Sequence, residues 1–266
     1  MSYLSGKVIW ITGASSGIGE AVAYELAKRG AKLILSARRK EELERVKGNC
    51  PTSMQANVRI LPLDLSQSEM LRLSTEAAIQ IFGHIDILIN NGGISQRSLA
   101  KDTLIEVDRK IMEVDYFGTI SLTKHLLPHF IQRKSGHYVT ITSVAGKIGV
   151  PVRTGYSAAK HALHGFFDSL RAEVWRENIL VTLIVPGWVN TNLSRHAVVG
   201  DGSAHNQVDP NNAGGYSPEA FAVKMCKAIE SRKNEAYIAG AKETLAIYLK
   251  RFVPAIFASI LKKQLK

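Results

Sequence analysis

Short apolar runs alternate with longer amphipathic stretches along this chain. The runs are VIWI at 8–11, LIL at 33–35, VRILPL at 58–63, IDILI at 85–89, YVTIT at 138–142, LVTLIV at 180–185 and EAYI at 235–238. Such short runs, bounded by Gly, Pro or Asn, have the pattern of strands buried on both faces of a parallel sheet. The stretches between them, at 17–29, 40–47, 66–82, 102–132, 156–177 and 217–231, read as amphipathic helices. This β-α-β-α order predicts an α/β fold, a parallel sheet with helices on both faces, because parallel neighbours need a crossover and a helix supplies it. There is no internal repeat or low-complexity linker. One long irregular segment, 192–217, is rich in Gly, Asn, Ser and His. Loops of that length are commonly functional lids, so it is the candidate substrate loop.

Composition narrows the class. Hydrophobic residues make up 45% and charged residues 21%, which excludes a disordered, collagen-like or multi-span membrane protein. Two cysteines, Cys50 and Cys226, cannot build a disulfide framework or a four-cysteine metal site, and they read as reduced structural thiols. The opening MSYLSGKVIWITG lacks the basic, apolar and small-residue succession of a cleaved signal, so a cytoplasmic location is expected. The net charge of +11 is uneven: Lys242, Lys250, Arg251, Lys262, Lys263 and Lys266 face only Glu243 in the last stretch. A basic tail rather than a basic stripe argues against nucleic acid. The segment 241–266 mixes apolar residues with Lys and Arg, is broken by Pro254 and contains no clean membrane-spanning run. The expectation is a helix that covers the substrate cleft or packs on another subunit, with peripheral attachment to an anionic membrane as the alternative.

Candidate chemistry begins where the first strand meets the first helix, at Thr12-Gly13-Ala14-Ser15-Ser16-Gly17-Ile18-Gly19. Glycines there let the backbone approach a pyrophosphate, and the helix N-terminus offers N–H groups and a positive dipole end. Gly13, Ser15, Ser16, Gly17, Ile18 and Gly19 are the candidate phosphate-binding residues. At the end of the second strand, Ser36-Ala37-Arg38-Arg39 lacks the carboxylate that would hold NAD ribose hydroxyls. Arg38 and Arg39 would instead hold a 2′-phosphate, so NADP(H) is the expected cofactor. The alternative is that both arginines open a surface helix with Glu41, Glu42 and Glu44.

The ordered set TGASSGIG (12–19), DL (64–65), NNGG (90–93), SV (143–144), YSAAK (156–160) and PGWVNT (186–191) resembles the short-chain dehydrogenase/reductase family. The resemblance runs from residue 5 to about 240. It implies a Rossmann-type, doubly wound parallel sheet of about seven strands, a single dinucleotide-binding and catalytic domain over 1–266, and a nicotinamide cofactor.

Within that frame Tyr156 and Lys160, four apart on a helix, share a face. A second copy of the spacing, Tyr24 and Lys28, has no serine-bearing strand end with it and reads as structural. Ser143 follows the strand YVTIT and would meet Tyr156 above the carboxyl edge of the sheet, where open α/β sheets bind ligands. Carbonyl reduction needs a hydride and a proton. A free tyrosine titrates near 10, at about pH 10, and a neighbouring ammonium stabilises its phenolate. Tyr156 is the candidate general acid and base, Lys160 its cation, and Ser143 the donor to the substrate oxygen.

Further roles are implied by the resemblance. Lys160 would also hold the nicotinamide ribose, with Tyr156 beside it. Asp115 stands where the family usually has Asn in its proton relay. There the main-chain carbonyl would hold a water leading to the lysine, and here a carboxylate is added near Lys160. Asp64 and Leu65 would border the adenine, Asn90 would brace the sheet and flank the adenosine, and Asn91 and Gly92 would line the cofactor. Pro186, Gly187, Val189 and Thr191 would bind near the nicotinamide. Trp188 would border the substrate or simply pack. A homodimer or homotetramer through the two long helices is expected. His161 and His164 lack a third ligand, and no metal is expected. The reaction expected is NADP(H)-dependent interconversion of a carbonyl and a secondary alcohol, on a small and apolar, lipid-like or steroid-like molecule. The alternatives are a 3-oxoacyl-carrier reductase and a non-catalytic dinucleotide-binding regulator.

Overall fold

The computed structural model describes residues 3–207, 209 and 214–263; the parts of the expected substrate loop at 208 and 210–213, and of the C-terminal segment at 264–266, lie outside the described residues. Seven strands form one parallel sheet: β1 (Val8–Thr12), β2 (Lys32–Ser36), β3 (Val58–Ile60), β4 (Ile87–Asn90), β5 (Gly136–Ile141), β6 (Ile179–Pro186) and β7 (Glu235–Ile238). Their order is β3-β2-β1-β4-β5-β6-β7. The chain winds outward first in one direction from β1 and then in the other from β4, so a crevice opens at the carboxyl ends of these two strands. Register keeps the ends level: Thr12 stands opposite Ser36, Ile11 opposite Ile89, Asn90 opposite Thr140 and Ile141 opposite Ile184.

Strand alternation divides the core in two. Ile9 and Ile11 of β1 face α1 (Gly17–Lys28), with α2 (Lys40–Gly48) on the same side, and join Val22, Leu26 and Val46 with Phe221 and Met225 of the last crossover helix. Val8 and Trp10 face the other way, onto a core with Leu71, Leu126, Phe130, Tyr138 and Phe167. That second layer comprises α3 (Ser68–Phe82), α5 (Gly118–Arg133) and α6 (Thr154–Glu173), and α4 (Ile105–Met112) packs on α6 in a smaller cluster of Val107, Ile111, Ala159 and Val198. The crossover helix before β7 is α7 (Pro218–Glu230), which returns to the α1 side. Cys50 and Cys226 are free and buried, and burial pushes their thiols up to about 11 and about 12.

Two elements differ from expectation. The stretch 102–132 is not one continuous helix: α4 passes into a wide π turn at Glu113–Phe117 before α5 begins. One extra residue in that turn re-aims its side chains, Asp115 among them. The C-terminal segment forms a pair of helices, α8 (Ala241–Phe252) and α9 (Pro254–Lys263), divided where Pro254 can start a helix but not continue one. Ala246, Ile247, Leu249, Phe257 and Leu261 pack on Val144, Ile148 and Val185, while Leu245, Tyr248, Phe252, Ile256 and Ile260 remain exposed. Among the described residues no helix is long and apolar enough to cross a membrane.

The crevice depends on close approach at the first turn of α1. A Cβ on Gly19 would overlap the carbonyl oxygen of Gly13 and the side chain of Asn91. Overpacking of this kind costs about 1–3 kcal/mol. In a domain of this size that corresponds to a Tm loss of roughly 2–10 °C. Thermal unfolding of Gly19→Ala is expected to show this loss; an unchanged Tm would contradict the packing.

Candidate active site

A cleft of about 590 Å³ opens over the carboxyl ends of the central strands. At one end the β1–α1 turn is tied to the loop after β4. Thr12 Oγ1 accepts the N–H groups of Asn91 at 3.0 Å and Gly92 at 2.9 Å. Asn91 Nδ2 donates to the carbonyls of Thr12 and Gly13 at 3.0 and 3.1 Å. Gly13 has φ +64°, and a Cβ there would meet Gly92 Cα at 2.7 Å, so both the conformation and the space require glycine. Ser16 is extended and its side chain does not cap α1. The first-turn N–H groups of α1 therefore lack a side-chain acceptor beside Ser15, Ser16, Gly17 and Ile18, all of which line the cleft.

Arg38 and Arg39 also line the cleft and are exposed, and their side chains make no ion pair or hydrogen bond among the described residues. Arg39 does precede α2, yet Glu42 pairs with Arg45 instead. Arg45 also pairs with Glu20 and donates to Ser15 O at 3.1 Å, steadying the phosphate turn; sequence spacing alone did not single it out. Asp64, whose Oδ1 accepts from the Ser66 N–H and hydroxyl at 2.9 and 2.8 Å, lines the same cleft with Leu65, Asn91, Gly92, Pro186, Gly187, Val189 and Thr191. Two expected contacts fall outside it. Gly19 is buried beneath the turn, and Asn90 braces the sheet by donating to Thr123 Oγ1 and Thr140 Oγ1 at 3.2 and 3.4 Å without lining the cleft. The open helix end, the glycine cradle and the unengaged arginines fit a phosphorylated dinucleotide.

At the other end Ser143, Tyr156, Lys160 and Asp115 line the cleft together. Ser143 Oγ accepts the Ala145 N–H at 3.1 Å, which orients its hydroxyl while leaving its proton to donate. Lys160 Nζ lies 5.6 Å from the centre of the Tyr156 ring and 3.5 Å from Ile141 O. Its partner is the side chain of Asp115, not only a main-chain relay: Nζ is 3.1 Å from Oδ2, and Asp115 is fully buried. Asp115 Oδ1 accepts the Ile94 N–H at 2.7 Å, whereas Oδ2 receives no well-directed hydrogen bond. Burial opposes charge on Lys160, but the Asp115 carboxylate and the Tyr156 oxygen together outweigh it and hold the ammonium above its ordinary range. Burial likewise pushes the Asp115 carboxyl up, against Lys160 and the Ile94 N–H. The close ammonium and the backbone donor favour the ion pair.

The backbone of Tyr156 is held by Gln96, which sequence reasoning missed. Gln96 Oε1 accepts the Gly155 N–H at 2.8 Å and the Tyr156 N–H at 3.4 Å, and its Nε2 donates to Ser98 and Thr103 hydroxyls at 3.2 Å. The available signal was that Arg153, preceding α6, cannot cap a helix N-terminus. Tyr24, by contrast, donates to Glu20 Oε1 at 2.7 Å and lies outside the cleft with exposed Lys28.

The far wall of the cleft is built from Arg97, Lys110, Arg153, Trp188 and part of the expected loop, namely Asn192, Leu193, Ser194, His196 and Ala204. Backbone bonds from Arg97 N to Val198 O and from Val198 N to Ser95 O, at 2.9 and 2.8 Å, stitch this loop to the segment after β4. Among the described residues the α8–α9 pair lines none of the cleft, which corrects the first of the two uses expected for the C-terminal helix, cleft cover or packing on another subunit; its buried side packs behind the Ser143 turn instead.

A family model described as short chain dehydrogenase matches residues 7–200. A "Dehydrogenase/reductase SDR family protein 7-like" of Anopheles gambiae is 46% identical over 98% of this chain and 84% of its own length. Among solved structures, a short chain dehydrogenase from Burkholderia cenocepacia J2315 in complex with NADP superposes with a TM-score of 0.79 at 22% identity, covering 98% of this chain and 99% of that one. One from Burkholderia phymatum in complex with NAD gives 0.80 at 23% identity, covering 94% and 95%. These two establish likeness of fold. With the family model spanning most of its length and a relative of nearly half-identical sequence along almost all of it, this chain belongs to the short-chain dehydrogenase family of oxidoreductases.

Proposed function

We propose that the protein is a single-domain NADP(H)-dependent oxidoreductase that interconverts a carbonyl and a secondary alcohol. The observation that carries this reading is the buried Lys160 ammonium beside Tyr156, in the same cleft as Ser143. A bound nicotinamide dinucleotide supplies or takes up the hydride. Ser143 donates a hydrogen bond to the carbonyl oxygen and stabilises its developing charge. Tyr156 gives its phenolic proton to that oxygen in reduction and removes it from the alcohol in oxidation. The field of Lys160 favours the phenolate left behind, and Asp115 holds that cation in place while offsetting part of its field. Gln96 fixes the first turn of α6 and so the direction of Tyr156. The reading includes assembly as a homodimer or homotetramer, with peripheral membrane contact as the other use of the exposed apolar side of α8 and α9.

Tyr156→Phe is expected to lower kcat by about 10²–10⁴, the usual contribution of a positioned acid–base group, with NADPH binding retained. Stopped-flow turnover with fluorescence titration of NADPH checks both, and near-normal turnover would overturn the chemistry. Arg38 and Arg39 give the second expectation. Charge-assisted bonds to a 2′-phosphate are worth about 1.5–3 kcal/mol, so kcat/KM should favour NADPH over NADH by roughly tenfold or more. Equal use of the two at equal concentration would refute the preference. Asp115 gives the third. Removing its charge leaves the positive field of Lys160 less balanced and favours phenolate. In Asp115→Asn the acid limb of the pH–rate profile for alcohol oxidation should therefore move to lower pH. Superimposable pH–rate profiles would remove any role for the charge.

A further inference from the structure

The cleft carries more positive charge than the reaction just described uses. Among the described residues its lining holds Arg38, Arg39, Arg97, Lys110, Arg153 and Lys160 but only two carboxylates, Asp64 and Asp115. Asp115 is taken by Lys160, and Asp64 accepts from Ser66. Arg38 and Arg39 lie at the dinucleotide end. Arg97, Arg153 and Lys110 are left on the substrate side.

Arg97 and Arg153 are nearly buried, at 10% and 13% side-chain exposure. They converge on a single oxygen: Arg97 Nη2 donates to Asp209 Oδ2 at 2.7 Å and Arg153 Nη2 to the same oxygen at 3.2 Å. Arg97 Nη1 donates to Gln96 O at 2.9 Å. The Arg153 guanidinium stacks on Trp188, with Cζ 4.7 Å from the ring centre, which fixes its plane within the cleft wall. Asp108 approaches the same region behind Gly155 but does not line the cleft.

Anchoring the loop at Asp209 needs one arginine. A second one, buried against the first and sharing one acceptor oxygen, costs stability, because like charges repel and desolvation disfavours both. The cost is visible in Arg153, where burial and then the neighbouring Arg97 push the guanidinium down to about 10. An anion entering the cleft would relieve it, and a planar, bidentate acceptor suits two guanidinium forks.

We propose that the substrate carries, besides its carbonyl or hydroxyl, an anionic group that Arg97 and Arg153 bind at the substrate end of the cleft. The shared chemistry is that of a carboxylate or a phosphate monoester. The inference deepens the proposed function and depends on it for the identity of the reacting end. The arginine pair then sets the distance from the substrate's charge to its reacting carbon. A neutral ketone of the same shape leaves both guanidinium groups facing an uncharged group, which is what allows them to discriminate.

Calorimetric titration of the full-length protein loaded with NADP⁺ tests this without requiring turnover. The probes are levulinate against its methyl ester, and hydroxyacetone phosphate against hydroxyacetone. At least one anion is expected to bind roughly tenfold or more tightly than its neutral counterpart, and which pair shows the difference separates carboxylate from phosphate recognition. In Arg97→Gln the anion-to-neutral ratio of affinities should fall toward one, and Arg97→Lys should restore part of it. Should a variant fail to fold, the comparison of anion with neutral probe in the unaltered protein still decides. Equal affinities within both pairs, or no detectable binding of either anion, would overturn the anion site. Reduction of the same probes, followed by NADPH consumption, reports separately on the oxidoreductase reading: tighter anion binding with no turnover of any ketone would leave the site standing and sink the reaction.

Discussion

A charged lysine in a buried setting must be held there, and the arrangement at the reacting end depends on what holds Lys160. Desolvation weakens its hold on its proton. The Asp115 carboxylate at 3.1 Å, with Tyr156, more than offsets that, and Asp115 is in turn fixed by the Ile94 N–H. The ammonium that remains stands beside the Tyr156 ring. The family's usual Asn offers a neutral side chain at this position. Here a carboxylate stands against the lysine, which seats the cation firmly.

The supports of that pair come from separate parts of the chain. Asp115 is delivered by the π turn between α4 and α5, Lys160 by the middle of α6, and Ile94 by the loop after β4. The same loop supplies Asn91 to the phosphate turn, Gln96 to the start of α6 and Arg97 to the substrate side. Residues 91–97 thus couple the β1–α1 turn, the start of α6 and the loop that follows β6. The strand order makes this possible, because β4 lies next to β1 where the winding reverses.

Much of this is legible in the sequence, for definable reasons. Buried parallel strands are short, continuous apolar runs between turn residues, and all seven runs become strands. Phosphate turn, Tyr156 and Lys160 are legible because their spacing is local. The π turn is not, since one extra residue leaves the apolar spacing on both sides of 113–117 undisturbed. Gln96 caps a helix some sixty residues away, and Arg97, Arg153 and Asp209 meet only in the folded chain, so no local pattern marks them. The C-terminal helices are visible as amphipathic segments, but an apolar face does not name the surface that receives it; that surface is the turn after Ser143 rather than the mouth of the cleft.

Lys160 and Asp115 form a mutually dependent buried ion pair. A double-mutant cycle on unfolding free energy tests it most directly, using Lys160→Met, Asp115→Asn and the two combined. Breaking a buried pair from one side strands the other charge and typically costs about 3–5 kcal/mol, whereas removing both charges spares most of that loss. The account predicts that the double variant is more stable than the sum of the single losses allows. Strictly additive losses would contradict it.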